Sequence, residues 1–310
     1  MNLKDKRVMV TGGSGFLGRQ IVEQLQRVGA DVYIPFSSVY NLKTKEGIIS
    51  ALYNLRPEII IHAAATAGGI GLNQARPAEL FFDNAIMGIQ LIDEAYQYGV
   101  KKFVTVGTVC EYPKFTPAPF REIDLWSGYP EETNAAYGLA KKMLLVQGQA
   151  YRRQYDFNII HLLPVNLYGP GDNFNKWSGH VIPALIMKIS EAKKAGKDVV
   201  NIWGDGSASR EFLYVEDAAK AVVLATQHYD FDAPINIGSG IEISINHLAS
   251  LLALKLDYSG ELVFDDSMPN GQPRRQLDTS RAEKHFGFKA TTDFGVGLDR
   301  TITWYKECFK

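Results

Sequence analysis

Tyr137 and Lys141 stand four residues apart in Tyr137-Gly138-Leu139-Ala140-Lys141. On a helix that spacing puts both side chains on one face. A cation beside a phenol favours the ionised form and lowers a pKa that begins near ~10. Such a phenol can exchange a proton with an alcohol or sugar oxygen at neutral pH. The pair alone recurs on many surface helices, so its meaning depends on what the rest of the chain builds around it.

A second constellation lies near the N-terminus. Gly12-Gly13-Ser14-Gly15-Phe16-Leu17-Gly18 satisfies G-x-x-G-x-x-G, and its glycines at 13, 15 and 18 also fit G-x-G-x-x-G. Arg7 to Thr11 reads as a short buried strand that runs into this loop. Phe16, Leu17, Ile21, Leu25 and Val28 then recur at helical spacing up to Gly29, and Asp31 to Pro35 reads as a second strand. Strand, glycine turn, helix and strand is the frame in which this motif binds a dinucleotide. The glycines let backbone N–H groups approach a pyrophosphate, and the helix N-terminus adds a partial positive charge. An acidic residue after the second strand suits a free ribose 2′-OH, and an Arg suits a 2′-phosphate. Phe36-Ser37-Ser38 supplies neither, which leaves NAD and NADP both open.

The elements that would position these groups alternate regularly. Residues 45–55 read as a helix and 58–62 as a strand. Ala63-Ala64-Ala65 follows, with small residues where a backbone passes close to a cofactor. Residues 77–98 form a long amphipathic pattern ended by Gly99, and 102–106 a strand. Gly107-Thr108-Val109-Cys110 stands at its carboxyl end, where ligands bind in open α/β sheets. A proline-rich loop over 112–132 leads to the helix 134–155 that carries the opening pair, and then to a strand over 158–163. The alternation predicts an α/β fold, a Rossmann-type doubly wound parallel sheet with right-handed crossovers. Past Pro164 the chain turns densely. Residues 212–227 and 234–237 read as a last helix and strand of the main sheet. The expected division is a dinucleotide-binding domain of residues 1–166 plus 212–238, and a smaller mixed substrate domain of residues 167–211 plus 239–310.

Composition narrows the classes. The 310 residues are 46% hydrophobic, enough for a large core. A net charge of -1 gives no global field for nucleic acid or an anionic membrane. The two cysteines, Cys110 and Cys308, are far apart, have no metal-ligand spacing and fit a reducing compartment. Neither a signal-peptide pattern nor an apolar run of membrane-spanning length is evident. The expectation is a soluble cytoplasmic protein with no metal site, no nucleic-acid partner and no membrane partner.

Thr11-Gly12-x-x-Gly15-x-x-Gly18, Thr108 and Tyr137-x-x-x-Lys141 together resemble the extended short-chain dehydrogenase/reductase family of nucleotide-sugar enzymes. Longer stretches sharpen the resemblance. Gly107-Thr108-Val109-Cys110-Glu111-Tyr112-Pro113-Lys114, Pro164-Val165-Asn166-Leu167-Tyr168-Gly169-Pro170 and His180-Val181-Ile182-Pro183-Ala184-Leu185 are similar to its GDP-L-fucose synthase branch, as are Trp203-Gly204-Asp205-Gly206-Ser207 and Arg210-Glu211-Phe212. The resemblance covers essentially the whole chain. It implies epimerisation at C3 and C5, then nicotinamide-dependent reduction at C4, of a GDP-4-keto-6-deoxy-hexose. The ketone acidifies the adjacent C3 and C5 protons, and inversion needs removal on one face and return on the other. A thiol (~8.5) and an imidazole (~6.5) suit that exchange, and the resemblance assigns it to Cys110 and His180. Thr108 and Tyr137 are the donors to O4 of the enolate. Tyr137 supplies the proton to O4 in the reduction, while Lys141 holds the ribose and depresses the phenol's pKa.

The same resemblance sets Gly12, Ser14, Gly15, Phe16, Leu17, Gly18, Ser37, Ser38, Ala64, Ala65, Tyr137, Lys141, Pro164, Asn166, Leu167 and His180 at the cofactor. It sets Asn166, Lys188, Trp203, Arg210 and Asp278 at the GDP-sugar, with Arg274 and Arg275 as further phosphate candidates. Lys188 lies about two helical turns beyond His180. Arg210 can fork onto a pyrophosphate, and Trp203 can pack on a ring. Ser14 and Ser37 stand where the family carries arginines for the NADP phosphate, so the resemblance favours NADP(H) and these residues leave NAD(H) open. Thr66 stands where a Lys is common, and Thr108 where Ser is common, with the hydroxyl kept. The alternatives are a colitose- or heptose-type GDP-sugar enzyme and a non-catalytic dinucleotide-binding regulator. Cys110 and His180 argue against reduction alone. An intact Thr108, Tyr137 and Lys141 argue against the regulator. His62, His161, His228, His247 and His285 read as structural, and Cys308 as incidental. A homodimer is expected through helices 77–98 and 134–155, whose apolar residues exceed one core face.

Overall fold

Ile59, Ile60 and Ile61 are all fully buried, the mark of a central strand covered on both faces. Their side chains alternate between two cores, because successive residues of a strand point to opposite faces. The computed structural model describes residues 1–175, 178–268 and 270–309. Strand β1 (Arg7–Thr11) runs into helix α1 (Phe16–Arg27), and β2 (Asp31–Tyr33) returns beside it. Helix α2 (Lys45–Leu55) leads to β3 (Ile59–His62), then the short α3 (Ile70–Ala75) and the long α4 (Pro77–Tyr98). Strand β4 (Lys102–Val106), helix α5 (Ala135–Tyr155) and strand β5 (Ile159–Pro164) follow.

The chain then builds β6 (Asn166–Tyr168), α6 (Val181–Lys194), β7 (Val199–Trp203) and β8 (Ser209–Tyr214). Helix α7 (Val215–His228) and β9 (Ile235–Ile237) return to the main sheet. The remainder is β10 (Glu242–Ser244), α8 (Ile245–Lys255), β11 (Glu261–Asp265), α9 (Ser280–Phe286) and α10 (Phe294–Cys308).

The main sheet has six parallel strands in the order β2-β1-β3-β4-β5-β9. One face sends Val8, Val10, Ile59, Ile61, Val104 and Ile160 against Ile21 and Leu25 of α1 and Ala218 and Val222 of α7. The other sends Met9, Ile60, Phe103 and Ile159 against α2, α4 and α5. This is the doubly wound Rossmann-type sheet that the alternation predicts. Two small sheets, β10-β8-β6 and β11-β7, pack with α6, α8 and α10 around a separate core.

Three local expectations change. The second strand stops at Tyr33, not at residue 35. Residues 70–75 form a helix that the periodicity did not reveal. Residues 212–214 complete β8, whose pairing with β6 and β10 overrides their helical pattern, so the last helix begins at Val215. Two buried carboxylates tie the parts together. Glu211 accepts from Leu277 N at 2.6 Å and from Gly240 N at 2.8 Å, and Asp217 accepts from Thr291 N and Thr292 N. Among the described residues no helix is long and apolar enough to cross a membrane.

Candidate active site

The glycine loop is shaped by close approach. Gly12 has φ +69°, and a Cβ there would stand 2.8 Å from the Ala64 backbone. A Cβ at Gly18 would collide with the Gly12 carbonyl, so α1 packs directly on the turn that precedes it. Gly15 caps α1 with no side-chain oxygen, which leaves the first-turn N–H groups to an anion. Ala64 and Ala65 follow β3 on the other side of this turn. Thr11 Oγ1 anchors them, accepting from Ala64 N at 3.2 Å beside a 2.8 Å contact to His62 Nδ1. Thr66 donates its hydroxyl to Asp83 at 3.3 Å. Ser14, Ser37 and Ser38 are exposed, the last two in the turn after β2.

Thr108 begins a short 3-10 turn over Val109–Glu111 at the end of β4. Its hydroxyl oxygen accepts from Cys110 N at 3.2 Å, and its own N–H donates to Glu111 Oε1 at 2.9 Å. This is a capping box, and it leaves the Thr108 hydroxyl proton to be donated outward. Helix α5 presses on the same turn, because a Cβ at Gly138 would collide with the Cys110 carbonyl oxygen. Gly138 therefore brings the start of α5, and Tyr137 with it, close to Cys110.

The electrostatics of the pair differ from the sequence expectation. Burial raises the Tyr137 phenol, and the charges of Cys110 and Glu111 raise it further; Lys141 is not among the causes. Lys141 is itself pushed down to about 8 by burial, with Glu111 opposing, and its Nζ lies 3.5 Å from Ala64 O. The expected depression of the phenol is corrected. At the carboxyl end of the sheet Lys141 is buried and Tyr137 is half-buried, and the loss of hydration outweighs the attraction between them. A raised phenol is protonated at neutral pH, the form in which it donates.

Cys110 is half-buried. The Arg275 guanidinium reaches its sulfur at 3.7 Å and Asn166 Oδ1 at 3.3 Å. Arg275 is buried, held by Gln272 Oε1 at 3.1 Å, and Gln272 is bound to the carbonyls of Pro113 and Lys114. Arg210 lies close enough that Arg275, after burial, disfavours its charge. Two guanidinium groups near one thiol make a pocket for an anion. Arg274 instead pairs with Glu242 at 2.5 Å on the surface, so its phosphate role is not supported by its position.

His180 caps α6 with its side chain half in solvent, and its Nδ1 is 3.8 Å from the buried Asp172. The residues before it dock on the loop after β3, with Gly69 N donating to Ser178 O at 2.9 Å. Among the described residues no hydrogen bond or ion pair links His180 to Cys110, Tyr137 or Lys141. Lys188 and Trp203 are brought together, the ammonium 5.5 Å over the indole and 3.2 Å from Asn201 O. Asp278 is turned elsewhere: its carboxylate accepts from Ser280 N at 2.9 Å, and its N–H donates to Phe120 O. Pro164, Asn166 and Leu167 span the step from β5 to β6. Asn166 donates to Glu211 O at 2.9 Å.

Sequence reasoning missed Glu111, Gly138 and Arg275 as partners of the thiol and hydroxyl. The spacing Thr108-x-x-Glu111 is the capping-box signal, and a glycine inside a helical pattern signals close packing. Nothing local pointed from Arg275 to Cys110.

A family model described as the NAD dependent epimerase/dehydratase family matches residues 8–238. A GDP-L-fucose synthase of Sinorhizobium fredii is 38% identical, covering 96% of this chain and 95% of its own. A solved GDP-L-fucose synthetase of Naegleria fowleri bound to NADP superimposes with a TM-score of 0.89 at 27% identity, over 99% of this chain and 95% of that one. A GDP-6-OMe-4-keto-L-xylo-heptose reductase of C. jejuni superimposes with a TM-score of 0.91 at 26% identity, over 99% of both.

Proposed function

The chain belongs to the NAD dependent epimerase/dehydratase family, and we propose that it epimerises a GDP-4-keto-6-deoxy-hexose at C3 and C5 and reduces it at C4, giving GDP-L-fucose. The observation that carries this reading is the junction of the Thr108–Cys110 turn with the start of α5: Thr108 Oγ1 holds the Cys110 N–H, the Cys110 carbonyl backs onto Gly138, and Cys110 lies close enough to Tyr137 to act on its phenol. The dinucleotide is assigned to the turn of Gly12, Gly15 and Gly18, which packs too closely on Ala64 and on itself for Cβ atoms at 12 and 18 and opens α1 with no side-chain cap. In this reading residues 1–166 plus 212–238 hold the dinucleotide, and 167–211 plus 239–310 hold the GDP-sugar, except that 212–214, as the end of β8, go with the GDP-sugar part.

Cys110 and His180 carry protons on and off C3 and C5 from opposite faces. Thr108 and Tyr137 donate to the oxyanion at O4 while the enolate exists. When bound, the nicotinamide cofactor supplies the hydride for C4. Tyr137 then gives its proton to O4, and Lys141 steadies the ribose. Arg210 and Arg275 meet the anionic end near Cys110, and Lys188 with Trp203 meets the nucleotide. NADP(H) is the cofactor we assign, with Ser14, Ser37 and Ser38 as hydroxyl donors to the 2′-phosphate. The likeness in shape to the heptose reductase favours, as a second reading, a heptose-type GDP-4-keto sugar handled by the same residues. A cytoplasmic homodimer through α4 and α5 completes the proposal, supported by two free cysteines and by exposed Phe81, Phe82, Met143 and Val146.

The test is turnover of GDP-4-keto-6-deoxymannose and a GDP-4-keto heptose with NADPH or NADH in D₂O, followed by mass and NMR. Oxidation of NADPH with deuterium at C3 and C5 of the deoxyhexose product is expected. No oxidation with either sugar defeats the enzyme reading. Oxidation without deuterium reduces it to a bare reductase, and faster turnover with NADH reverses the cofactor assignment.

A further inference from the structure

Beneath the Thr108–Cys110 turn lies a second layer of polar groups. Glu111 has no exposed surface and His161 is almost fully buried, yet the two side chains meet, with Nε2 3.0 and 3.1 Å from the two carboxylate oxygens. The other ring nitrogen, Nδ1, lies 2.7 Å from Thr105 Oγ1. Thr105 gives its single hydroxyl proton to Ile160 O at 3.0 Å, so its oxygen accepts and His161 Nδ1 is the donor. Nε2 then faces the carboxyl group directly, so the ring nitrogens and carboxyl oxygens of this buried pair all have partners.

Glu111 joins this pair to the turn and to α5. Glu111 Oε1 accepts the Thr108 N–H at 2.9 Å, and Lys142 reaches the Glu111 carbonyl at 3.3 Å. The pair fills the space below Gly107, where a Cβ would collide with both Glu111 Oε1 and His161 Nε2. Above it, Thr108 Oγ1 holds Cys110 N, and the Cys110 carbonyl backs onto Gly138 in the first turn of α5. A displacement of Glu111 is therefore passed to the hydroxyl, the thiol and the helix end that carries Tyr137.

We propose that Glu111 and His161 are positioning residues: a buried, hydrogen-bonded pair that holds Thr108 and Cys110 where they exchange protons with the substrate. The proposal rests on the reaction assigned above. Glu111→Gln keeps an acceptor for Thr108 N–H and offers its amide to His161 Nε2. Glu111→Ala removes both. In Glu111→Ala, deuterium exchange at C3 and C5 falls about 100-fold, the loss expected from a misplacement of roughly 1 Å. KM for NADPH stays within about twofold, because the glycine loop is untouched, and Glu111→Gln recovers most of the exchange rate.

A readout independent of the sugar is alkylation of Cys110 by iodoacetamide in a Cys308→Ser background. Its rate changes about fivefold or more in Glu111→Ala and stays near the parent rate in Glu111→Gln. If Glu111→Ala does not fold, the near-isosteric Thr105→Val carries the test, with exchange lowered about tenfold by the lost buried hydrogen bond. Exchange and alkylation at the parent rate in the folded variants overturn the pair as a positioning device and leave it a core contact. A parent enzyme that turns over no GDP-4-keto sugar defeats the functional reading instead, and the alkylation rates still decide the pair.

Discussion

At the scale of single residues, the phenol and the ammonium are set by burial more than by each other. Tyr137 is raised and Lys141 is lowered to about 8, both with desolvation as the first cause. Tyr137→Phe should abolish NADPH oxidation, by about 10³-fold or more, while deuterium exchange at C3 and C5 persists at a reduced rate. Exchange lost together with reduction would mean that Tyr137 stabilises the enolate as its main donor. Lys141 carries a linked stability effect. Its folded pKa lies below the unfolded value, so between about pH 8 and about 10.5 the unfolded chain binds more protons and stability rises with pH. Below that window the buried charge costs about 3 kcal/mol. Lys141→Met should therefore raise the thermal midpoint at pH 7 while abolishing turnover. A lowered midpoint would show that the ammonium is well compensated, by Ala64 O and its surroundings.

At the scale of elements, the site is a junction between the end of β4 and the start of α5. Gly138 makes the junction possible. Propensity alone predicts that Gly138→Ala stabilises α5 by up to about 1 kcal/mol. The collision with the Cys110 carbonyl predicts the opposite, a cost of about 1–3 kcal/mol from overpacking. Denaturant melts give the sign, and assays should show exchange and reduction falling together, because Cys110 and Tyr137 move apart. Much of this junction was legible beforehand. The strand 102–106, the Thr108-x-x-Glu111 spacing and the 3.6-residue pattern of α5 are all local signals. The reach of β8 to Tyr214 was not, because Phe212-Leu213-Tyr214 suits a helix or a strand equally. Pairing with β6 and β10 decides it.

At the scale of the molecule, Glu211 fastens the β10-β8-β6 sheet to the segments at Gly240 and Leu277. Glu211→Ala leaves two backbone N–H groups without their acceptor and should cost about 3 kcal/mol. KM for the GDP-sugar should rise more than KM for NADPH, because Arg210 is the neighbouring residue and the glycine loop lies on the far sheet. Equal rises would argue that Glu211 supports the whole fold rather than the substrate side. The proposed dimer has its own test. Light scattering at micromolar concentration should give twice 34.5 kDa, and Phe82→Asp on exposed α4 should shift the mass toward the monomer.

What the amino-acid order determined by itself is everything carried by near neighbours. The six-strand alternation, the glycine turn opening α1 and the placing of Tyr137 and Lys141 on one helix face all follow from periods of two and 3.6 residues and from a few glycines. The tertiary structure alone decided which distant groups meet. Arg275 reaches a thiol 165 positions earlier, Glu111 finds His161 across two strands, and Asp278 turns into α9 instead of joining Lys188 and Trp203. It also reversed the sign of the Tyr137 shift. A cation four residues away is visible in a sequence, whereas the loss of water around a phenol depends on every element packed against it.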